Sequence, residues 1–217
     1  MTSRFLNTKI KMGFSLTEVL LALVILGVIA AMTLPEIVNQ SETIRHKNSW
    51  KKTFSTFAQA TNFLLQNNGS TLTDVFSSSQ DMMEKYTTYL LVSKTCANGA
   101  SLGTCWHSND GSSKYLNGGV ITGWLAGPGV ILNDGTLIQM GLDSGSCDYT
   151  TGSIQRCGYI NVDVNGFAGP NIVGRDIFTI NVRAGKISPT GADNDGNQNT
   201  CNTTNSGYGC SQTYLYD

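Results

Sequence analysis

Apolar residues follow two different rules along this chain. From Phe14 to Leu34 they run almost unbroken, 21 residues in which Glu18 is the only charged side chain. A helix over that run would be about 31 Å long, enough to cross a bilayer. From Ser41 to Gln66 the apolar positions instead recur with helical periodicity, and Trp50, Phe54, Phe57, Thr61, Leu64 and Leu65 share one face. Glu42, Arg45, Lys47, Lys51 and Lys52 lie largely elsewhere, so this segment reads as the amphipathic half of one long helix, stopped by Asn67-Asn68-Gly69. A second helix is expected over 73–91, capped by Thr73 or Asp74, with Val75, Met82, Met83, Tyr86, Tyr89 and Leu90 as its apolar positions.

Beyond residue 96 the rhythm shortens. A polar, Gly-rich loop reaches to Gly119; Trp106 and His107 within it have no evident partner, and His107 reads as a surface residue. Short β-prone runs follow at 119–125, 129–132, 136–140, 159–164, 177–182 and 186–188, with Asn133-Asp134-Gly135 as a hairpin turn. The expected fold class is α+β: a long N-terminal helix, with a membrane half and an amphipathic half, packed on an antiparallel meander. No fixed-period repeat is visible, which sets solenoids and propellers aside.

Composition narrows this picture. In 217 residues there is room for one anchor helix and one head, and only 13% of residues are charged, a balance that suits strands and polar loops. The net charge of −1 gives no electrostatic case for nucleic acid as a partner. All six cysteines lie beyond residue 95, in three close pairs: Cys96 and Cys105, Cys147 and Cys157, Cys201 and Cys210. That spacing favours disulfides in an oxidising compartment over a metal site, since there is no C-x-x-C. Six cysteines can pair in fifteen ways, and sequence does not choose among them; the nearest-neighbour set is the expectation.

Glu18 needs an explanation, because a carboxylate in a membrane helix costs roughly 2.5 to 3.5 kcal/mol even on the lenient insertion scale. Its place in the first turn helps, since the positive helix end favours an anion. The surrounding segment, Lys11-Met12-Gly13-Phe14-Ser15-Leu16-Thr17-Glu18-Val19-Leu20, resembles the leader and cleavage site of type IV pilins and type II secretion pseudopilins. The resemblance covers roughly residues 9–37 and departs from the pattern at Met12, where a basic residue often stands. It implies that a prepilin peptidase cuts between Gly13 and Phe14, that Phe14 is N-methylated, and that Glu18 pairs with a neighbouring subunit's N-terminus during assembly. Pro35 matches a proline that interrupts the helix in many members.

The resemblance further implies three regions: a leader over 1–13, a transmembrane or filament-core helix over 14–35, and a periplasmic or extracellular head over 36–217 that includes the amphipathic helix 41–66. It implies a single-pass protein of the bacterial inner membrane that later enters a periplasmic or cell-surface filament. The implied partners are other pilin-like subunits, the peptidase, an inner-membrane assembly platform and membrane lipid. Without it, the same segment reads as a secretory signal with a site near Val28-Ile29-Ala30, or as an uncut anchor.

Two loops invite chemistry. The run Asp163 to Asn171 with Gly174-Arg175-Asp176 resembles a loop near the end of many prepilin-type proteins and reads as a structural clamp. The loop 192–199 resembles the calcium loop of major pseudopilins, with Asp193 and Asp195 as candidate ligands; it lacks the glycine and closing glutamate of an EF-hand. No cofactor other than this calcium is indicated. The familiar hydrolase, nucleotide and metalloprotease motifs are missing, and no enzyme is expected. The expected function is a structural filament subunit; the alternatives are a minor subunit whose head binds DNA, a surface or a secreted cargo, and an anchored exported enzyme.

Overall fold

A computed structural model describes residues 15–217, without the side chains of 32–39. Gly13, Phe14 and the expected leader lie outside the described residues. The elements in chain order are α1 (Leu16–Asn67), α2 (Ser79–Thr87), β1 (Val92–Cys96), β2 (Gly129–Leu132), β3 (Leu137–Leu142), β4 (Tyr149–Thr151), β5 (Ile154–Arg156), β6 (Gly158–Asp163), β7 (Ile177–Val182), β8 (Ile187–Pro189) and α3 (Cys210–Tyr216). The chain divides into two compact units, one ending at Glu42 and the other comprising Thr43–Asp217.

The expected pilin-like fold class is corrected by two findings. Among the described residues no helix is long and apolar enough to cross a membrane. The division between units also falls inside α1, so the segment up to Glu42 is not part of the body that contains the sheet. The membrane half of the expected helix is therefore withdrawn. The expectation of a single-pass inner-membrane protein falls with it.

In the head, β1-β2-β3-β6-β7-β8 form a six-stranded antiparallel sheet, and β4 with β5 makes a separate hairpin between β3 and β6. Alternation along the strands gives the sheet two faces. Ile138 and Met140 of β3, Ile160 and Val162 of β6, and Phe178, Ile180 and Val182 of β7 point to one side. There they meet Trp50, Phe57, Ala60 and Leu64 of α1. Those helix positions recur at seven-, three- and four-residue spacing, as a buried helical stripe requires. Trp50 stacks on Phe178 at 4.8 Å and donates from Nε1 to the Ser211 carbonyl at 2.9 Å.

Several boundaries differ from expectation for local reasons. α2 starts at Ser79, because Ser78 caps it by accepting from the Asp81 N–H, and Asp74 sits in the left-handed region at φ 58°. The run 119–125 forms no strand. Its place in a ladder is taken by Asn109, whose side chain accepts from the Trp124 N–H at 2.7 Å and donates to the Trp124 carbonyl at 3.0 Å. Strands β1, β4 and β5 and helix α3 were not expected.

Three disulfides are present, each joining cysteines 9 or 10 residues apart: Cys96–Cys105, Cys147–Cys157 and Cys201–Cys210. The first ties the end of β1 to the following loop, and the last ties the C-terminal loop to α3. Each closes a short loop, stabilising by about 2.5 to 3 kcal/mol in the chain-entropy model.

Candidate functional site

Two surfaces are candidates for function, one in each unit. The first is the apolar segment of α1. Leu16, Leu20, Leu23, Val24, Leu26 and Ile29 are each more than half exposed, and the exposure runs around the whole helix. A helix that is apolar on all sides is stable only when something covers it.

Glu18 sits at the start of this segment and has local company. Its Oε2 accepts from the Ser15 N–H at 2.9 Å and from Ser15 Oγ at 2.8 Å, and the Glu18 N–H donates back to Ser15 Oγ at 3.3 Å. This is the reciprocal capping box of an S-x-x-E sequence. The pattern Ser15-Leu16-Thr17-Glu18 announces it, although attention to the charge of Glu18 alone passes over it.

The second surface is the face of the sheet turned away from α1. Register places Gln139 of β3, Asn161 of β6 and Thr179 of β7 side by side in one row, and Gly141, Tyr159 and Asn181 in the next. The first row is nearly fully buried yet wholly polar. Asn161 Nδ2 donates to Gln139 Oε1 at 3.2 Å, and Thr179 Oγ1 donates to Asn161 Oδ1 at 3.0 Å. Gln139 Nε2 donates to the Leu125 carbonyl. Above this row lies a cleft of about 320 Å³, walled by the 123–125 segment, the β4–β5 hairpin and the loop 190–208.

A third row on this face, Leu137, Asp163 and Ile177, holds an ionisable pair. His107, expected at the surface, is only 3% exposed, and its Nε2 lies 2.8 Å from Asp163 Oδ2. Burial, with a smaller push from the nearby Asp176 carboxylate, raises the Asp163 carboxyl to about 7 against the opposing His107 hydrogen bond. Asp176 itself accepts from the Asn171 and Ile172 N–H groups, both at 2.7 Å, and burial raises it despite those bonds. These contacts tie the loop 163–176 together. Phe167 adds an edge-on contact to His107 at 5.6 Å.

The two candidate calcium ligands do not converge. Asp193 is held by Arg183 at 2.8 Å and Lys186 at 2.7 Å. Asp195 is buried and accepts from Asn181 Nδ2 and the Gly191 and Asn197 N–H groups, each at 2.9 Å. Both carboxylates are thus occupied by protein donors, and among the described residues no group of three His, Cys, Asp or Glu is placed to hold a metal. The site does not fit calcium. Asp195 is instead the residue that joins the C-terminal loop to β7, a role that the density of oxygen ligands in the loop conceals.

Two of the basic residues that lie off the apolar stripe of α1 pair within the head. Lys47 reaches Asp217 at 3.3 Å and lies over the Tyr214 ring, and Lys52 pairs with Asp134 at 2.8 Å. Comparison of the chain with protein-family models, with curated proteins and with solved structures gives no match.

Proposed function

We infer that the chain is a structural subunit of a periplasmic or extracellular filament of the type IV pilus or type II secretion kind, matured by cutting between Gly13 and Phe14. The observation that carries this reading is the exposed apolar segment of α1 with one carboxylate at its start. In a filament, copies of the same segment cover one another, and burial of side chains such as Leu20 or Leu26 contributes about 1.5 to 3 kcal/mol each. The resemblance of residues 11–20 to a prepilin junction supplies the processing step. Three disulfides agree with a head that works outside the reducing cytoplasm.

In this reading Glu18 changes partners. Its carboxylate caps its own helix in the single chain and, in the polymer, takes the Phe14 amine of a neighbour, which fixes the axial register because a shifted subunit leaves both charges unpaired. Glu18→Gln keeps an amide able to cap but removes the charge, and separates the two roles. Intact mass of the mature protein and the yield of sheared filaments decide the matter. The parent should begin at N-methylated Phe14, Gly13→Val should remain uncut, and Glu18→Gln should be cut normally yet polymerise poorly. A mature chain starting at Met1 or Ala31, or full polymerisation of Glu18→Gln, overturns the reading.

A further inference from the structure

The cleft over the polar face of the sheet lies outside the apolar segment on which the filament reading rests, and its lining is specific enough to name a ligand class. Its floor is the row Gln139, Asn161 and Thr179, whose side chains are locked to one another and to the Leu125 carbonyl. Each amide in that row still has a second N–H and a second lone pair, and the threonine hydroxyl keeps its lone pairs. The row therefore presents fixed, alternating donors and acceptors. Such a surface matches hydroxyl groups, each of which donates and accepts at once.

Charge in the lining is cancelled. Arg156 is its only charged side chain, and it is held by Asp143 and by Asn181 Oδ1, both at 2.8 Å. An anionic ligand thus meets a cation already paired with a carboxylate, and a cationic one finds no carboxylate in the lining. A purely apolar ligand would strip water from the polar floor without replacing its hydrogen bonds, at a cost of about 1 to 3 kcal/mol per group.

The walls add aromatic surface from Trp124, Tyr159 and Tyr208. Burial raises both tyrosines, so their phenol groups stay protonated and able to donate at neutral pH. Two further polar atoms of the lining residues, Trp124 Nε1 and Thr190 Oγ1, are buried without a hydrogen-bond partner. Trp124 is 8% exposed and Thr190 4%. Buried polar groups in native proteins are rarely left so.

From this we propose that the cleft binds a neutral saccharide, a mono- or disaccharide unit seated with its hydroxyls on the Gln139–Asn161–Thr179 row and its C–H faces against the aromatic walls. The cleft volume of about 320 Å³ lies at the small end of ligand sites, which suits such a unit. Polar spacing on three rigid strands fixes the orientation, and this is the preorganisation that a weakly hydrophobic ligand requires. The proposal stands apart from the filament reading, since it concerns only residues of the head.

The test uses the purified full chain in a sugar-free zwitterionic detergent. Glucose, galactose, mannose, N-acetylglucosamine and their β-1,4 disaccharides are titrated one at a time and followed by saturation-transfer NMR, with glucuronate as a charged comparator. At least one neutral sugar should bind, and Thr179→Val should weaken it about tenfold, the loss expected for one hydrogen bond to a hydroxyl. Asn197→Ala at the cleft rim, where the side chain is half-buried, should weaken binding several-fold and keeps the test open if Thr179→Val fails to fold. No binding by any neutral sugar, binding unchanged in Asn197→Ala and in a folded Thr179→Val, or glucuronate bound as tightly as its neutral counterpart would each overturn the proposal.

Discussion

The two faces of the central sheet are built from the same three strands and differ only in which alternate residues they show. Toward α1, β3, β6 and β7 present Ile138, Met140, Ile160, Val162, Phe178, Ile180 and Val182, and the helix stripe closes over them. On the other side the same strands present Gln139, Asn161, Thr179, Asn181 and Asp163, which are buried just as deeply but by loops. One face is stabilised by apolar area that tolerates small shifts. The other depends on hydrogen bonds whose partners must all be in place, because an unmet buried group costs about 1 to 3 kcal/mol. Packing on the first face holds the strands still, and that rigidity is what lets the second face offer a patterned surface.

The largest break in this comparison comes from the helix face. Phe57 is fully buried with its ring 5.7 Å from that of Tyr86. Phe57→Ala should cost about 3 to 5 kcal/mol, through lost burial and the cavity left behind. Urea denaturation of the oxidised protein measures it, and a cost under about 1 kcal/mol would mean that α1 is not the principal cover of that face.

A smaller effect with a definite sign comes from the polar face. The Asp163 carboxyl, raised to about 7 by burial, keeps a proton in the native state that an unfolded aspartate releases near 4. Its contribution is complete below pH 4 and is lost as pH rises through 7, so stability should fall across pH 5 to 7 by at most about 1.4 kcal/mol per unit. Asp143 and Asp176, also raised by burial, act with the same sign. Asp81, Asp134 and Asp193, lowered by their lysine and arginine partners and local hydrogen bonds, act in the opposite sense but below this window. Asp163→Asn should flatten the slope of melting temperature against pH. An unchanged slope would place the titration elsewhere.

The helix face was largely legible in the sequence. Trp50, Phe57 and Leu64 announced the stripe by their spacing, and Asn133-Asp134-Gly135 announced its turn, with Gly135 at φ 88°. The polar face was hidden, because Gln139, Asn161 and Thr179 alternate with apolar residues just as solvent-facing positions do. Nothing local to a strand records that loops from 97–128 and 190–209 will cover it. His107 and Asp163 meet across 56 residues of chain, and a period-based reading carries no information at that distance. Val120 and Ile121 looked like a strand for the opposite reason: their β propensity is real, but Val120 forms only an isolated bridge with Lys114, the Ile121 N–H donates to the Ser113 carbonyl, and the Asn109 side chain takes the backbone groups of Trp124.

The mildest perturbation tests whether the polar face really is a fitted surface. Gly141 pairs with Tyr159 across β3 and β6, and a Cβ added to Gly141 would lie 2.4 Å from Tyr159 Cζ and 2.6 Å from its hydroxyl oxygen. Those are atoms at the far end of the side chain, so the ring can swing aside without moving backbone. Gly141→Ala should therefore cost only about 1 to 2 kcal/mol, at the low end for overpacking. The swing would carry the phenol away from the cleft wall and from Arg156, whose guanidinium carbon sits 5.3 Å from the ring centroid. A double-mutant cycle isolates this contact: in a Tyr159→Ala background, Gly141→Ala should cost almost nothing, because no ring remains to be displaced. If the two substitutions add instead, the glycine answers to the strand backbone and not to Tyr159, and the wall of the cleft is less closely fitted than the geometry of β3 and β6 makes it.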